Sequence, residues 1–195
     1  MKDVFEKIWK LALPYQDKRD DEGHAETVLH YSLELVKLEN VDENIVIPAA
    51  ILHDIGWSQI SKEESLKIFS NKINEDDRIK IQREHEEAGV KLAKQILEKM
   101  NYNMEAINEI LEIISQHDIR KGFISKDEGI MRDADKLWRF SKKGFWADIK
   151  RRNNTPKEEY DKLKAKIDSP DFFYSDSAKK MAREELEERR SEFIL

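Results

Sequence analysis

Two stretches of the chain, AAILHDIGW at residues 49–57 and ISQHDIRKG at 114–122, carry the same triplet, His-Asp-Ile. An imidazole beside a carboxylate suits two kinds of chemistry, ligation of a divalent metal ion and general acid–base catalysis. The chain has five histidines and no cysteine, which excludes disulfides and any thiolate-bound zinc or iron–sulfur centre. A metal here must rest on imidazole and carboxylate. That donor set suits Mn, Fe, Co, Ni, Zn or Mg and does not choose among them.

A lone histidine on a helix is more often a surface group or a satisfied core residue than a ligand, so helical phase decides which of the five point inward. His24 shares a face with Val28, Tyr31, Leu35 and Leu38, the apolar stripe of an amphipathic helix. His85 lies on a stripe with Ala88, Gly89, Leu92 and Ile96. Gly89 there would allow a helix or ligand to approach closely. His117 ends a stripe of Ile110, Ile113 and Ile114, and His53 ends one of Val46, Ala49 and Ala50. Asp54 has Ile47, Ala50 and Ile51 behind it. His30 lies about 120° around the helix from His24 and is the expected bystander. Burying Asp54 without a partner would cost several kcal/mol. A shared metal ion would satisfy Asp54 and the four inward histidines together.

The elements that must position these groups read as helices. Six glycines and four prolines leave little punctuation in 195 residues, and apolar residues recur every third or fourth position. We expect helices over 3–13, 23–39, 43–54, 61–70, 75–99, 103–118, 127–142, 156–167 and 176–193. Ser61 with Glu64 and Thr155 with Glu158 spell capping boxes. Pro48 should kink the third helix or delay its start. The basic stretch KKGFWADIKRRNN (142–154) reads as a break in composition. Residues 142–195 are expected to form a helical extension packed on a motif-bearing core of about 20–140, the whole chain making one domain.

The charged share of 39% comes from 35 basic and 41 acidic residues, a salted surface with a net charge of -6. This balance argues against general nucleic-acid binding. No apolar run approaches the length of a membrane span, and the N-terminus does not resemble a signal peptide. The expected setting is cytoplasmic, and a homo-oligomer is compatible with it.

Taken in order, GHAETVLHYSLEL with His24, AAILHDIGW with His53 and Asp54, EHEEAGVKLAKQIL with His85, EIISQHD with His117 and DADKL with Asp135 resemble the HD superfamily of metal-dependent phosphohydrolases. The resemblance implies an all-α HD-type helical bundle. It implies a metal site of His24, His53, Asp54 and Asp135, with His85 and His117 as ligands of a second ion or as phosphate-contacting and proton-relaying groups. Within DADKL it favours Asp135; periodicity alone leaves Asp133 as the runner-up. Trp57 stands where many members have lysine, and Asp118 where the family often has a second histidine, so its role stays open. There is no Gly-Tyr-Pro motif.

The chemistry so implied is hydrolysis of a phosphomonoester or phosphodiester of a nucleotide or other small phosphorylated metabolite, assisted by one or two divalent ions. Asp54, His85 and His117 are the catalytic candidates. Arg139, one turn beyond Asp135, is the first choice to hold the phosphate, with Lys136 and Arg120 behind it. Trp57, Trp138 and Phe140 could stack on a ring, though such residues are more often core. Two other readings remain open: a di-iron oxygenase on the same fold, and a catalytically idle helical domain that binds a ligand or partner.

Overall fold

The computed structural model describes residues 1–70 and 72–193. They form ten α-helices: α1 (Asp3–Ala12), α2 (His24–Leu38), α3 (Glu43–Leu52), α4 (Lys62–Lys67), α5 (Glu75–Lys99), α6 (Met104–Ile114), α7 (Lys126–Leu137), α8 (Lys142–Arg152), α9 (Pro156–Ile167) and α10 (Asp176–Ser191). Three 3₁₀ turns cover Leu13–Tyr15, Ile55–Gln59 and Trp138–Phe140. Among the described residues there is no strand, so the fold is all-α.

The centre of the bundle is α3. Every residue from Ile45 to Leu52 is buried, the pattern of a helix enclosed on all sides. Helices α2, α6 and α7 pack directly against it. Pro48 lies inside this helix without ending it. A proline there has no N–H for the carbonyl of Asn44, four residues back. The Tyr102 hydroxyl fills the gap by donating to Asn44 O at 2.9 Å. The two expected capping boxes differ. Thr155 and Glu158 exchange both bonds, whereas Ser61 accepts from Glu64 N only.

Two expectations are corrected. The expected helices leave 143–155 unassigned, yet Lys142–Arg152 form α8, capped by Ser141 and ended by left-handed Asn153 (φ 55°). This helix buries Phe145 and Asp148 beneath a polar outer surface, and that polarity hid it. The expected helices 43–54 and 103–118 also stop early, at Leu52 and Ile114. His53 and His117 therefore sit just past helix ends.

The α9–α10 hairpin buries Tyr160, Leu163, Ile167, Ala178, Ala182 and Leu186 in the same apolar cluster as α2, α3 and α7. No described helix is long and apolar enough to cross a membrane.

Candidate metal centre

His24 opens α2 from left-handed Gly23 (φ 86°). His53 follows the last turn of α3, Asp54 begins the Ile55–Gln59 turn, His85 lies on α5 and Asp135 on α7. His24, His53, His85 and His117 are all buried, and His30 is exposed.

Asp54 is the hub. Its Oδ2 lies 3.2 Å from His24 Nε2 and 3.6 Å from His53 Nε2. Its Oδ1 lies 3.4 Å from His117 Nε2 and 3.6 Å from His85 Nε2. Asp135 Oδ1 completes the first group, 3.4 Å from His24 Nε2 and 3.5 Å from His53 Nε2. Asp118 joins the second, its Oδ2 3.7 Å from His85 Nε2. Donors around an ion with ligand distances of about 2.1 Å sit roughly 3.0–3.4 Å apart. Both groups approach that spacing.

Two observations test whether a metal fits. Both ring nitrogens of His85 are buried without a hydrogen-bond partner among the described residues, a state that bare packing rarely tolerates. His53 and His117 place Nδ1 2.8 Å from the carbonyls of Ala50 and Ile114, each three residues back. Donation from Nδ1 aims Nε2 at the site, the usual support of a metal-bound imidazole once that nitrogen gives up its proton. The residues fit one ion at His24, His53, Asp54 and Asp135. They fit a second at His85, His117 and Asp118, with Asp54 shared.

The charges agree. Burial opposes ionisation of Asp54, yet Arg19 and the imidazoles of His53, His117 and His24 hold its carboxyl well below the usual range. Burial likewise opposes ionisation of Asp135, and His53 and His24 outweigh it. Burial lowers the pKa of His85. It acts the same way on His117, where Asp118 and Asp54 prevail and push the value up to about 10.

Asp133, two residues before Asp135, goes elsewhere. Its carboxylate accepts from Tyr174 N at 2.7 Å, Ser175 N at 2.8 Å and Ser175 Oγ at 2.7 Å. The candidate phosphate cations also separate. Arg139 lines a cavity of about 40 Å³ with His24, Asp54, Asp135, Arg19 and Arg151. Lys136 instead donates to the Phe172 carbonyl and lies 4.9 Å over the Phe123 ring. Arg120 pairs with Glu112 and Glu128. The structure does not bring Lys136 or Arg120 to the site, because Lys136 is held by a carbonyl 36 residues downstream and Arg120 by glutamates on the two flanking helices. Trp138 borders the cavity, with its ring edge-on to His24 at 5.2 Å, while Phe140 is core.

Sequence reasoning missed Arg19. It forms an ion pair with Asp54 Oδ2, and its guanidinium lies 4.2 Å over Trp57. Trp57 stacks on His85 at 3.9 Å and donates from Nε1 to Asp54 Oδ1 at 3.0 Å. The close approach expected at Gly89 is real, but Gly56 is the residue that requires it. A Cβ on Gly56 would lie 2.0 Å from His85 O and 2.5 Å from Gly89 N.

The HD-domain family matches residues 22–139, which hold every one of these candidate ligands. The chain belongs to the HD-domain family. The fold of this HD-domain protein is similar to the crystal structure of a predicted HD superfamily hydrolase from an uncultured Thermotogales bacterium. The TM-score is 0.61 at 19% identity, over 96% of this chain and 86% of that one. No curated protein matches the chain.

Proposed function

We propose that this HD-domain protein is a metal-dependent phosphohydrolase acting on a phosphomonoester or phosphodiester, of a nucleotide or another small phosphorylated metabolite. One observation supports the reading: the imidazole–carboxylate groups that meet at Asp54 adjoin a cavity whose wall carries Arg139 beside Arg19 and Arg151, the last two paired with Asp54 and Asp148, among five aspartates. Guanidinium forks match phosphate oxygens; they would serve a phosphonate as well, so the metal assay below separates the hydrolase from the oxygenase. The predicted HD superfamily hydrolase whose fold this chain shares is consistent with the reading.

When bound, a divalent ion supplies charge to the phosphoryl oxygens and lowers the pKa of a water it holds. His24, His53, Asp54 and Asp135 would hold that ion. Arg139 binds and orients the phosphate from the cavity wall. His85 and His117, on the Oδ1 side of Asp54, either hold a second ion with Asp118 or donate a proton to the leaving oxygen. The cavity of about 40 Å³ has room for roughly three waters, so the ester's organic part must lie outside it. An adjoining cleft of about 580 Å³ shares Phe69 and Arg151 and adds Leu66, Trp146, Lys143 and Lys150. Its volume falls in the range of small-ligand sites, and its mix of aromatic and basic walls suits a nucleoside phosphate.

The test is metal content after purification without added metal, followed by phosphate release from a nucleotide and sugar-phosphate panel. One or two Mn, Co, Ni or Zn per chain, with release lost in His53→Ala, is the expected result. Two irons per chain with oxygen-dependent turnover would replace this reading with the oxygenase, which the unpartnered His85 would also serve. A chain that binds no metal under any condition would be an idle ligand-binding domain. The setting proposed for this activity is the cytoplasm.

A further inference from the structure

Arg19 enters the metal centre from an irregular stretch, and its surroundings are built. Its side chain is 12% exposed, with Nε 3.3 Å from Asp21 Oδ2 and Nη2 paired with Asp54 Oδ2. The Arg19 backbone N donates to Asp21 Oδ1 at 3.0 Å, so the same aspartate holds both backbone and side chain. The Trp57 ring supports the guanidinium from below. Nε thus faces Asp21 while Nη2 reaches Asp54, so the stem is anchored independently of the Asp54 contact.

The oxygen that Arg19 takes is the one a metal needs. Asp54 Oδ2 is the atom that faces His24 and His53. A cation among those donors and the Arg19 Nη2 group compete for one carboxylate oxygen and repel each other. With an ion on Oδ2, that repulsion would favour the Nη edge turning away. Asp21 and Trp57 still hold the stem, so the freed donors stay in the cavity shared with Asp135 and Arg139.

We propose that Arg19 is an exchanging cation. In the metal-free protein it neutralises Asp54, and in the metal-loaded protein it turns its fork to the substrate's phosphate. This rests on the phosphohydrolase reading and adds a second phosphate-holding residue to Arg139. It assigns Arg19 opposite effects on two ligands, which distinguishes it from a residue that merely supports Asp54.

The experiment is calorimetric titration of the full chain, stripped with chelator, first with Mn²⁺ and then with inorganic phosphate. Arg19→Gln is expected to bind Mn²⁺ about tenfold more tightly than the wild type and, once loaded, phosphate about tenfold more weakly. A support role predicts the reverse for the metal, a tenfold to hundredfold loss. Unchanged or weaker Mn²⁺ binding, or unchanged phosphate binding, overturns the proposal. Arg19→Lys keeps the charge without the fork. It should hold Mn²⁺ affinity near wild type and weaken phosphate severalfold, and it covers the case in which the glutamine variant does not fold. Neither readout uses turnover. Opposed affinity shifts in a chain that hydrolyses no ester would leave the exchange standing and remove the hydrolase. Active enzyme with unshifted affinities would do the opposite.

Discussion

The two His-Asp-Ile triplets treat their histidines alike and their aspartates differently. His53 and His117 each sit just past the end of a helix, each with Nδ1 on the carbonyl three residues back. Asp54 is turned inward, with one oxygen toward each imidazole pair and a guanidinium on its flank. Asp118 is exposed, reaches the His85–His117 pair from the cavity side, and has its backbone N on Glu86 Oε1 at 3.1 Å. The residues downstream differ too: Ile55 and Gly56 are buried against α5, whereas Arg120 pairs with glutamates. A dipeptide acquires its chemistry from the second residue's burial, and the neighbouring helix decides that.

The largest expected effect lies at Asp54. Asp54→Asn removes the charge shared by both donor groups. It should cut metal-dependent phosphate release about a thousandfold, roughly 4 kcal/mol, with the metal lost on dialysis. Comparable loss in Asp118→Asn would erase the distinction between the triplets. Gly56→Ala comes next: its Cβ would meet the His85 carbonyl, so we expect about 3 kcal/mol of destabilisation by urea unfolding. Asp118→Asn should weaken only the second ion, about tenfold, read as a change in metal stoichiometry at fixed concentration.

Asp148 supplies the control for burial alone. It is as buried as the site histidines and pairs with Arg151, but faces no imidazole among the described residues. Burial pushes its carboxyl up, and Arg139, Arg151 and Arg152 outweigh it, holding the folded pKa below the ordinary value. Such a group stabilises the fold above its unfolded pKa and loses that contribution as pH falls through its folded one. Asp148→Asn should cost about 1–2 kcal/mol at pH 7. The gap to wild type should narrow below about pH 4, with metal affinity unchanged throughout.

Helical phase made much of this site readable. His24, His53, Asp54, His85 and His117 each sit on or at the end of an apolar stripe, so periodicity alone turned them inward. Arg19 was not readable, because residues 16–23 have no period; left-handed Asp17 and Asp20 (φ 55° and 56°) bend the chain there. Lys136 and Arg120 looked available because their partners, the Phe172 carbonyl and the carboxylates of Glu112 and Glu128, are fixed only by tertiary packing. Leu38 completes the His24 stripe on paper but is 61% exposed. Asp133 and Asp135 were indistinguishable by phase, and the donors that occupy Asp133 lie 41 and 42 residues downstream.

The clasp at Asp133 bears on how the chain can be cut or inherited. Ser175, held by Asp133, also caps α10 by accepting from Ala178 N at 3.1 Å. The helix that carries Asp135 and the start of the last helix thus share one buried hydrogen-bonded knot. The recognisable family segment ends at residue 139, but a gene fragment ending there would leave the Asp133 carboxylate without its three donors and bare the face of α7 that α10 covers. The stretch the family matches and the stretch that supplies the donors of Asp133 are different lengths of the same polypeptide.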